Sequence, residues 1–256
     1  FDRASAVVPP NAHVGADSYN QAITTAEAFA ALLAENGVTG QCIELQGALT
    51  DINAVNRSQG WQDVEATTDV YTTLVQVPTE WNPELFRSGT ANALQANPDA
   101  NCMFVASDFA FSAVQSALEA ADRWAPAGEE GHMWIAAQDL NPQGLEAMEG
   151  GYIDVATTYD AFFHAIEAVN AIGALATETE AVCGAAIDMV QATDDAAMMD
   201  EGEAMDEAMD DEAMMDDAVM GEGMPIGDYV CLVAGRVATP ANVADLENLW
   251  SRDYQD

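Results

Sequence analysis

The sequence predicts an α/β protein built on a doubly wound parallel sheet. Three observations lead to this prediction: short apolar strand patterns recur along residues 18–158, helical patterns of similar length separate them, and the connections are short. Strands that alternate with helices in this way form parallel sheets with right-handed crossovers. The 256 residues are enough for one large or two modest domains with a buried core.

The elements follow in a regular order. Ser18 is the predicted cap of a first helix, whose apolar stripe ends at the helix-terminating pair Asn36-Gly37. Asn82-Pro83 marks another helix start, because an N-cap followed by proline suits the first helical turn. The predicted strands cover 41–46, 70–77, 103–106, 133–137 and 152–157, and further predicted helices cover 53–66, 82–95, 109–121, 142–149 and 161–174.

The later part of the chain departs from this pattern. A helix is predicted at 180–192, followed at 194–224 by a low-complexity tract of Asp, Glu and Met. Like charges at i and i+4 oppose a helix there, which favours a solvated linker. A metal-binding tract is the alternative, since carboxylates suit Ca²⁺ and thioethers suit Cu⁺. A strand at 228–234 and a short helix at 240–250 are predicted to end the chain.

The chain is strongly acidic, with 44 Asp and Glu against 6 Arg, no Lys and a net charge of −38. Such a surface repels nucleic acid, because duplex binding depends on cations that displace counterions. No apolar run is long enough to span a membrane. Adaptation to high salt and a generally acidic extracytoplasmic setting both explain the charge. Since the chain starts at Phe1, any targeting signal is expected upstream.

The four cysteines show no CxxC pair and no paired Cys/His spacing, which argues against a zinc site. Cys42 and Cys102 open two apolar strands at equivalent positions, in QCIELQG and NCMFVASD. If those strands are neighbours, the two residues lie within bridging distance. Two buried free thiols are the alternative. A bridge between Cys183 and Cys231 has less support.

Polar side chains gather where the predicted strands end. The carboxyl ends of parallel strands meet at one edge of a sheet, and ligands bind there. A carboxylate-rich ligand site with an aromatic side chain is therefore predicted, although Asp108 and Asp139 could each simply cap a helix. The strand ends carry Gln46-Gly47, the segment 78–81, Ser107-Asp108, Gln138-Asp139 and Thr158-Tyr159.

Catalytic motifs are missing from the sequence. His13, His132 and His164 form no metal-spacing pair, and no GxSxG, HExxH or phosphate-binding loop occurs. Paired carboxylates at the predicted rim could cleave a glycoside, but binding proteins use the same groups without chemistry. We therefore predict neither an enzyme nor a cofactor.

Seven stretches, in order, resemble the type I periplasmic binding proteins for simple sugars, the ribose- and galactose-binding group, whose fold is shared by LacI-type repressor effector domains. The resemblance covers most of residues 1–175 and the C-terminal tail. The stretches are FDRA (1–4), VGADSYNQ (14–21), IELQGALTDINAVNRSQGW (43–61), VPTEW (77–81), MFVASD (103–108), IAAQDLNPQGLEAMEGGYIDVATTY (135–159) and VATPANV (237–243).

That family has two similar α/β lobes joined by three crossing strands, closes around a sugar, and docks on the permease of an ABC-type importer. The resemblance implies a periplasmic or extracellular location, with an upstream lipid anchor as one option. It also implies that the second lobe is complete and that most of the first lobe is missing. The implied divisions are 1–17 (end of the truncated first lobe), 18–158 (second lobe), 159–193 (helices returning to the first lobe), 194–224 (linker) and 225–256 (C-terminal crossing strand and helix).

The resemblance also implies the ligand-binding residues. Arg57 matches an arginine that donates to ring oxygen or hydroxyls, Trp81 an aromatic that stacks on a sugar face, and Asp139 an acceptor for hydroxyls. Ser107 stands where the family often has asparagine, which leaves the identity of the sugar open. The other implied contacts come from Asp2, Arg3, Asn53 and Tyr159.

Arg57 and Trp81 each have a simpler structural explanation. A protein with a different function, a transcriptional regulator, could also have this fold. Arg57 could form a helix-surface ion pair, and Trp81 could be a packing aromatic. The effector domain of a LacI-type regulator would need an upstream DNA-binding module. The acidic surface and the disulfide chemistry favour transport over that alternative.

Overall fold

The computed structural model describes residues 1–3, 10–177, 179, 183 and 229–253. The chain divides into two compact units: unit 1 comprises Phe1–Gly15 and Phe163–Val233, and unit 2 comprises Ala16–Phe162 and Ala234–Asp256. The helix predicted at 180–192 and the acidic tract at 194–224 lie outside the described residues.

Strands and helices alternate through most of the described chain. The strands are β1 (Ala12–Ala16), β2 (Gly40–Gln46), β3 (Tyr71–Pro78), β4 (Cys102–Val105), β5 (Trp134–Asp139), β6 (Val155–Thr158), β7 (Tyr229–Val233) and β8 (Val237–Ala238). The helices are α1 (Ser18–Glu35), α2 (Ile52–Glu65), α3 (Pro83–Ala96), α4 (Phe111–Ala120), α5 (Pro142–Glu149), α6 (Ala161–Thr177) and α7 (Trp250–Asp253), with short 3-10 turns at Asp108–Ala110 and Val243–Asp245.

The core of unit 2 is a six-stranded sheet in the order β3-β2-β4-β5-β6-β8. The first five strands in that order are parallel, which confirms the predicted parallel sheet. β8 adds a sixth strand, antiparallel to β6, that the sequence analysis did not predict. Its two residues are too few to leave an alternating pattern, so only the pairing with β6 defines it.

Helices cover both faces of this sheet, as the doubly wound prediction requires. On one face α1 and α2 enclose Trp61, which stacks on Phe104 at a ring-centroid distance of 4.6 Å and lies 4.4 Å from Tyr71. On the other face α3, α4 and α5 cover the apolar side chains of β2 and β4, including Ile43 and Met103. Because every central strand is buried on both faces, these strands read in sequence as continuous apolar runs.

Side-chain caps define where the helices begin. Asp51 accepts a hydrogen bond from the backbone N–H of Asn53 at the start of α2, and Asn82 accepts one at the start of α3. For α1 the cap is Asp17, which accepts from the N–H of Asn20 at 3.1 Å. The predicted cap, Ser18, is instead the first helical residue. A carboxylate also gains from the positive end of the helix dipole, which favours Asp17 at that position.

α1 and α2 approach each other closely at Gly60. A β-carbon at this position would lie 2.6 Å from the carbonyl oxygen of Tyr19 and 3.0 Å from Cβ of Ala22. Glycine normally weakens a helix interior. Here it allows the two backbones to pack over the aromatic cluster around Trp61.

All four cysteines are paired. Cys42 of β2 faces Cys102 of β4 in the register of the two parallel strands, and a disulfide joins them with their Cα atoms 4.4 Å apart. A second disulfide joins Cys183 to Cys231 of β7 in unit 1.

Among the described residues, the sheet of unit 1 has two strands, against six in unit 2. β1 pairs with β7, and Val14, Ala171 of α6 and Cys231 are buried together. β7 lies at the position of the predicted strand 228–234, whereas β1 was not predicted because AHVGA carries little apolar signal. No helix in the described part of the chain combines the length and the apolar character of a membrane span.

The predicted helix at 240–250 is wrong. The chain forms a 3-10 turn, becomes extended at Leu246 and adopts a left-handed conformation at Asn248 before α7 begins. Leu249 is fully buried in the core formed with α3, α4 and α5. The break in the helix allows the chain to turn and bury that side chain.

Candidate functional site

The order in which successive strands are added to the unit 2 sheet reverses between the parallel neighbours β2 and β4. The chain leaves β2 for α2 on one face, and it leaves β4 for α4 on the opposite face. The two connections therefore separate at the carboxyl ends of these strands, and ligands bind beyond such a point in open α/β sheets. Arg57 on α2, Ser107 after β4 and Asp139 at the end of β5 all belong to connections at this edge.

These three side chains form one hydrogen-bonded cluster. The guanidinium of Arg57 binds the Asp139 carboxylate with two donors, Nη2 to Oδ1 at 2.5 Å and Nη1 to Oδ2 at 3.1 Å. Nη1 also donates to the carbonyl oxygen of Ala106 at 2.7 Å, and the hydroxyl of Ser107 donates to Oδ2 of Asp139. We call Arg57, Ser107 and Asp139 the polar cluster.

Burial distinguishes the polar cluster from a surface ion pair. The Arg57 side chain is 5% exposed and that of Asp139 is 13% exposed. Arg57 is thus not the exposed helix-surface partner that the alternative interpretation required. Asp139 accepts hydrogen bonds from two side chains rather than capping a helix. A partly accessible carboxylate next to a planar donor suits a ligand with neighbouring hydroxyls.

The backbone around the polar cluster is strained. Asp139 and Leu140 have φ values of 87° and 50°, and Glu80 and Trp81 after β3 have 52° and 53°. Non-glycine residues rarely adopt this region, at a cost of about 1–3 kcal/mol each. Strain of this kind concentrates at functional sites. The carbonyl oxygen of Asp139 also accepts a hydrogen bond from the N–H of Tyr159 at 2.9 Å.

Trp81 is held from two sides. Its indole N–H donates to Oδ2 of Asp51 at 2.8 Å, and its ring lies so close to Gly47 that a β-carbon there would stand 2.0 Å from Cζ2. Phe109 contacts the ring edge-to-face, with a centroid distance of 6.3 Å. Because Asp51 also caps α2, the orientation of Trp81 depends on the start of the helix that carries Arg57.

The other residues implied by the resemblance belong to different elements of the fold. Asn53 lies one helical turn before Arg57, on the same face of α2. The half-buried Tyr159 follows β6 and contacts Asp139 through its backbone. Asp2 and Arg3 belong to unit 1, where they form an ion pair with each other and where the N–H of Asp2 donates to Val14.

Two residues that shape this site, Asp51 and Phe109, were not singled out from the sequence, and Asp108 was noted only as a strand-end residue or helix cap. Asp51 could have been recognised as a helix cap, but its bond to Trp81 joins residues 30 positions apart. Phe109 had no signal beyond its place after a strand. Asp108 is fully buried, and Oδ1 accepts from the backbone N–H of Asn141 at 2.9 Å and from its Nδ2 at 2.7 Å. Burial, together with the charge of Asp139, raises the pKa of Asp108 to about 8.

The site has polar and aromatic groups but no cluster of metal ligands. Among the residues that the structure describes, no group of three or more His, Cys, Asp or Glu side chains could hold a metal ion. The side chains at this edge can donate, accept and stack, which are the functions that recognition of a hydroxylated ring requires.

Three solved structures with a similar fold are named as proteins of ABC transporters. An ABC transporter periplasmic solute binding protein from Actinobacillus succinogenes with bound D-allose has 16% identity and a TM-score of 0.65, over 92% of this chain and 64% of its own. An ABC transporter solute binding protein from Bacillus halodurans with bound myo-inositol has 18% identity and a TM-score of 0.60, over 92% of this chain and 62% of its own. The arabinose-transporter protein of Shewanella sp. ANA-3, bound to L-arabinofuranose, has 14% identity and a TM-score of 0.63, over 95% and 64%.

These similarities show the fold alone, and the chain spans less than two thirds of the length of each of the three proteins. No curated protein sequence matches the chain. The family model described as a periplasmic binding protein domain, however, matches residues 1–180, well over half of the chain. The chain therefore belongs to the periplasmic binding protein family.

Proposed function

We propose that this protein binds a simple sugar at the carboxyl edge of the unit 2 sheet and delivers it to an ABC-type importer. The observation that carries the proposal is the polar cluster, in which Arg57 and Ser107 orient a partly exposed Asp139 carboxylate. The groups do not react with the ligand in this proposal, so the protein acts as a carrier rather than an enzyme.

The chemistry of the site supports a cyclic polyol as the ligand. Neighbouring hydroxyls on a ring match the bidentate geometry of a carboxylate or a guanidinium, and the C–H face of the ring suits an aromatic side chain such as Trp81. D-allose, myo-inositol and L-arabinofuranose, the ligands bound to the three similar structures, all have both features. We propose Asn53, Tyr159, Asp2 and Arg3 as further ligand contacts.

The proposed partners follow from the same family. We infer a periplasmic or extracellular location, where disulfides such as Cys42–Cys102 form and persist. The permease of an ABC-type importer is the proposed protein partner. A net charge of −38 makes nucleic acid an unfavourable partner, which weighs against a role in transcriptional regulation.

Calorimetric titration of the full-length protein tests the proposal. Pentoses, hexoses and myo-inositol form the panel, and the variants are Trp81→Ala, Asp139→Ala and Arg57→Lys. Each should weaken binding by roughly 1–3 kcal/mol, because a stacking surface, a hydroxyl acceptor or a planar donor is lost. Arg87→Lys is the matched control, since Arg87 forms an exposed ion pair with Glu84 on α3 and should leave affinity unchanged.

Two results would contradict the proposal. If the wild-type protein binds nothing in the panel, a simple sugar is not its ligand. If it binds a sugar but all three folded variants keep the wild-type affinity, the binding site lies elsewhere.

A further inference from the structure

Asp108 is a fully buried carboxyl next to the polar cluster, and it does not belong to that cluster. It follows Ser107 directly and begins the short 3-10 turn after β4. Both of its recorded hydrogen bonds come from Asn141, through the backbone N–H and through Nδ2. Asn141 lies two residues after Asp139, so Asp108 binds the turn that carries the carboxylate of the site.

That turn needs an external support. Asp139 and Leu140 are consecutive non-glycine residues in the left-handed region, which is unfavourable for both and especially for a leucine. The burial of Leu140 and the two bonds from Asn141 to Asp108 hold the conformation in place. Since Ser107 donates to Asp139 itself, the dipeptide Ser107-Asp108 contacts both the carboxylate and the backbone that presents it.

We infer that Asp108 is a positioning residue for the proposed sugar site: its carboxyl fixes the β5–α5 turn and thereby the direction of the Asp139 carboxylate. The inference rests on the proposed function for its ligand and on the turn geometry for its mechanism. Asp108 acts through Asp139 and does not contact the sugar.

Gly144 of α5 packs directly against the Asp108 carboxyl. A β-carbon at Gly144 would lie 1.6 Å from Oδ2 of Asp108 and 2.4 Å from Cγ. The helix can therefore approach only if this residue has no side chain. Gly144→Ala would displace the Asp108 carboxyl without altering any residue of the polar cluster.

The charges around Asp108 should make ligand affinity depend on pH. The charged side chains that act on Asp108 are Asp139 from β5 and Arg57 from α2, while α5 faces it with the backbone of Gly144. Burial and the charge of Asp139 raise the pKa of Asp108 to about 8, so at pH 7 Arg57 is balanced by Asp139 alone. Above pH 8 a second buried negative charge appears beside Asp139, and a bound ligand that excludes water makes that charge less favourable still.

Four variants of the full-length protein test the inference by titration with the sugar that the wild type binds best. Asp108→Ala and Gly144→Ala should each weaken binding by roughly tenfold or more, as expected when a buried hydrogen-bonded group is lost or displaced. Asp108→Asn keeps an acceptor for Asn141 and carries no charge. It should bind like the wild type at pH 7 and lack the fall in affinity that the wild type shows above pH 8.

The matched control is Asp154→Asn, another buried aspartate that accepts a backbone hydrogen bond, from Ile135 at the amino end of β5. It should leave sugar affinity and its pH profile unchanged. Wild-type affinity in folded Asp108→Ala, or the same pH profile in Asp108→Asn as in the wild type, would overturn the inference.

Amide hydrogen exchange at a single pH separates this inference from the proposed function, because it needs no ligand. Peptides covering 139–145 should exchange faster in Asp108→Ala than in the wild type or in Asp154→Asn. Unchanged exchange there overturns the inference. Absence of sugar binding by the wild type overturns the proposed function, and faster exchange in 139–145 still supports the role of Asp108 in the turn.

Discussion

His132 has a hydrogen-bond acceptor at each ring nitrogen. Nδ1 lies 2.9 Å from the carbonyl oxygen of Ala125, and Nε2 lies 3.0 Å from Oδ1 of Asp154, with both side chains 5% exposed. A neutral imidazole has a single N–H and could satisfy only one of these acceptors. Burial alone would lower the pKa of His132, but the hydrogen bond and the charge of Asp154 outweigh it and raise the pKa.

The histidine should therefore make stability depend on pH. Because the pKa of His132 is higher in the folded state, its contribution is full below the unfolded value of about 6.5 and is lost as pH rises through the folded value. We expect the difference in free energy of unfolding between the wild type and His132→Gln to shrink as pH rises from 5.5 to 9. Denaturant unfolding at each pH measures it. A difference that does not change with pH would mean that His132 is neutral in the folded protein.

The sequence indicated some residues of the polar cluster, and their role in ligand binding stays a prediction. Asp139 was singled out as a carboxylate at a strand end and Arg57 through the resemblance to the sugar-binding family, and the structure places the two in contact. Asp108 was considered only with the strand ends, since nothing local reveals that a carboxyl is fully buried. The left-handed conformations at Trp81 and Leu140 had no sequence signal either, because glycine, the residue that marks such positions, is absent there.

At the level of helices, glycine has two different effects in this chain. Gly60 lies where α1 and α2 touch, whereas a β-carbon at Gly173 of α6 would meet nothing within 4 Å. Gly173→Ala should therefore stabilise the protein by roughly 0.5–1 kcal/mol through helix propensity. Gly60→Ala should destabilise it by roughly 1–3 kcal/mol, because the clash with Tyr19 exceeds that gain. Thermal unfolding of both variants measures this, and stabilisation by Gly60→Ala would mean that the helices can separate at little cost.

The disulfide between β2 and β4 closes a long loop, with its cysteines 60 positions apart. In the chain-entropy account, closing a loop of this length lowers the conformational entropy of the unfolded state and raises its free energy by about 4 kcal/mol. The double variant Cys42→Ala/Cys102→Ala should lose roughly 2–4 kcal/mol of unfolding free energy and keep the fold. The variant Cys183→Ala/Cys231→Ala serves for comparison. If thiol titration of the unfolded wild type finds free cysteines, the bridges are not formed in solution.

Long and well-buried strands and helices were predictable from the sequence, and short ones were not. The strands β2, β4 and β5 carry the apolar runs that a doubly covered sheet requires, and α3 begins at its Asn82-Pro83 signal. β8 was not predictable, because two residues have no periodicity and acquire strand geometry only by pairing with β6. The predicted helix at 240–250 failed because burial of Leu249 outweighs local helix propensity.

On the scale of the whole molecule, the net charge of −38 is a cost to the compact state. The screening length shortens from about 10 Å at 0.1 M salt to about 3 Å at 1 M, so self-repulsion should decrease over that range. We expect the melting temperature to rise between 0.1 and 1 M NaCl. The variant Glu27→Gln/Glu35→Gln/Asp122→Asn, which removes three exposed charges, should start from a higher melting temperature and rise less. Equal slopes would show that the effect of salt is not electrostatic.

Unit 2 is assembled from two separated stretches, 16–162 and 234–256. Its sheet is completed by β8, which is held to β6 by backbone bonds and by Arg236 on Asp160. On the ribosome the intervening stretch must be made first, which takes on the order of ten seconds at bacterial elongation rates. During that interval the outer edge of β6 exposes unpaired backbone groups of the kind that attract other strands. The nascent protein thus depends on the later synthesis of β8 to close the edge of β6, and a chaperone that shields β6 would act in that interval.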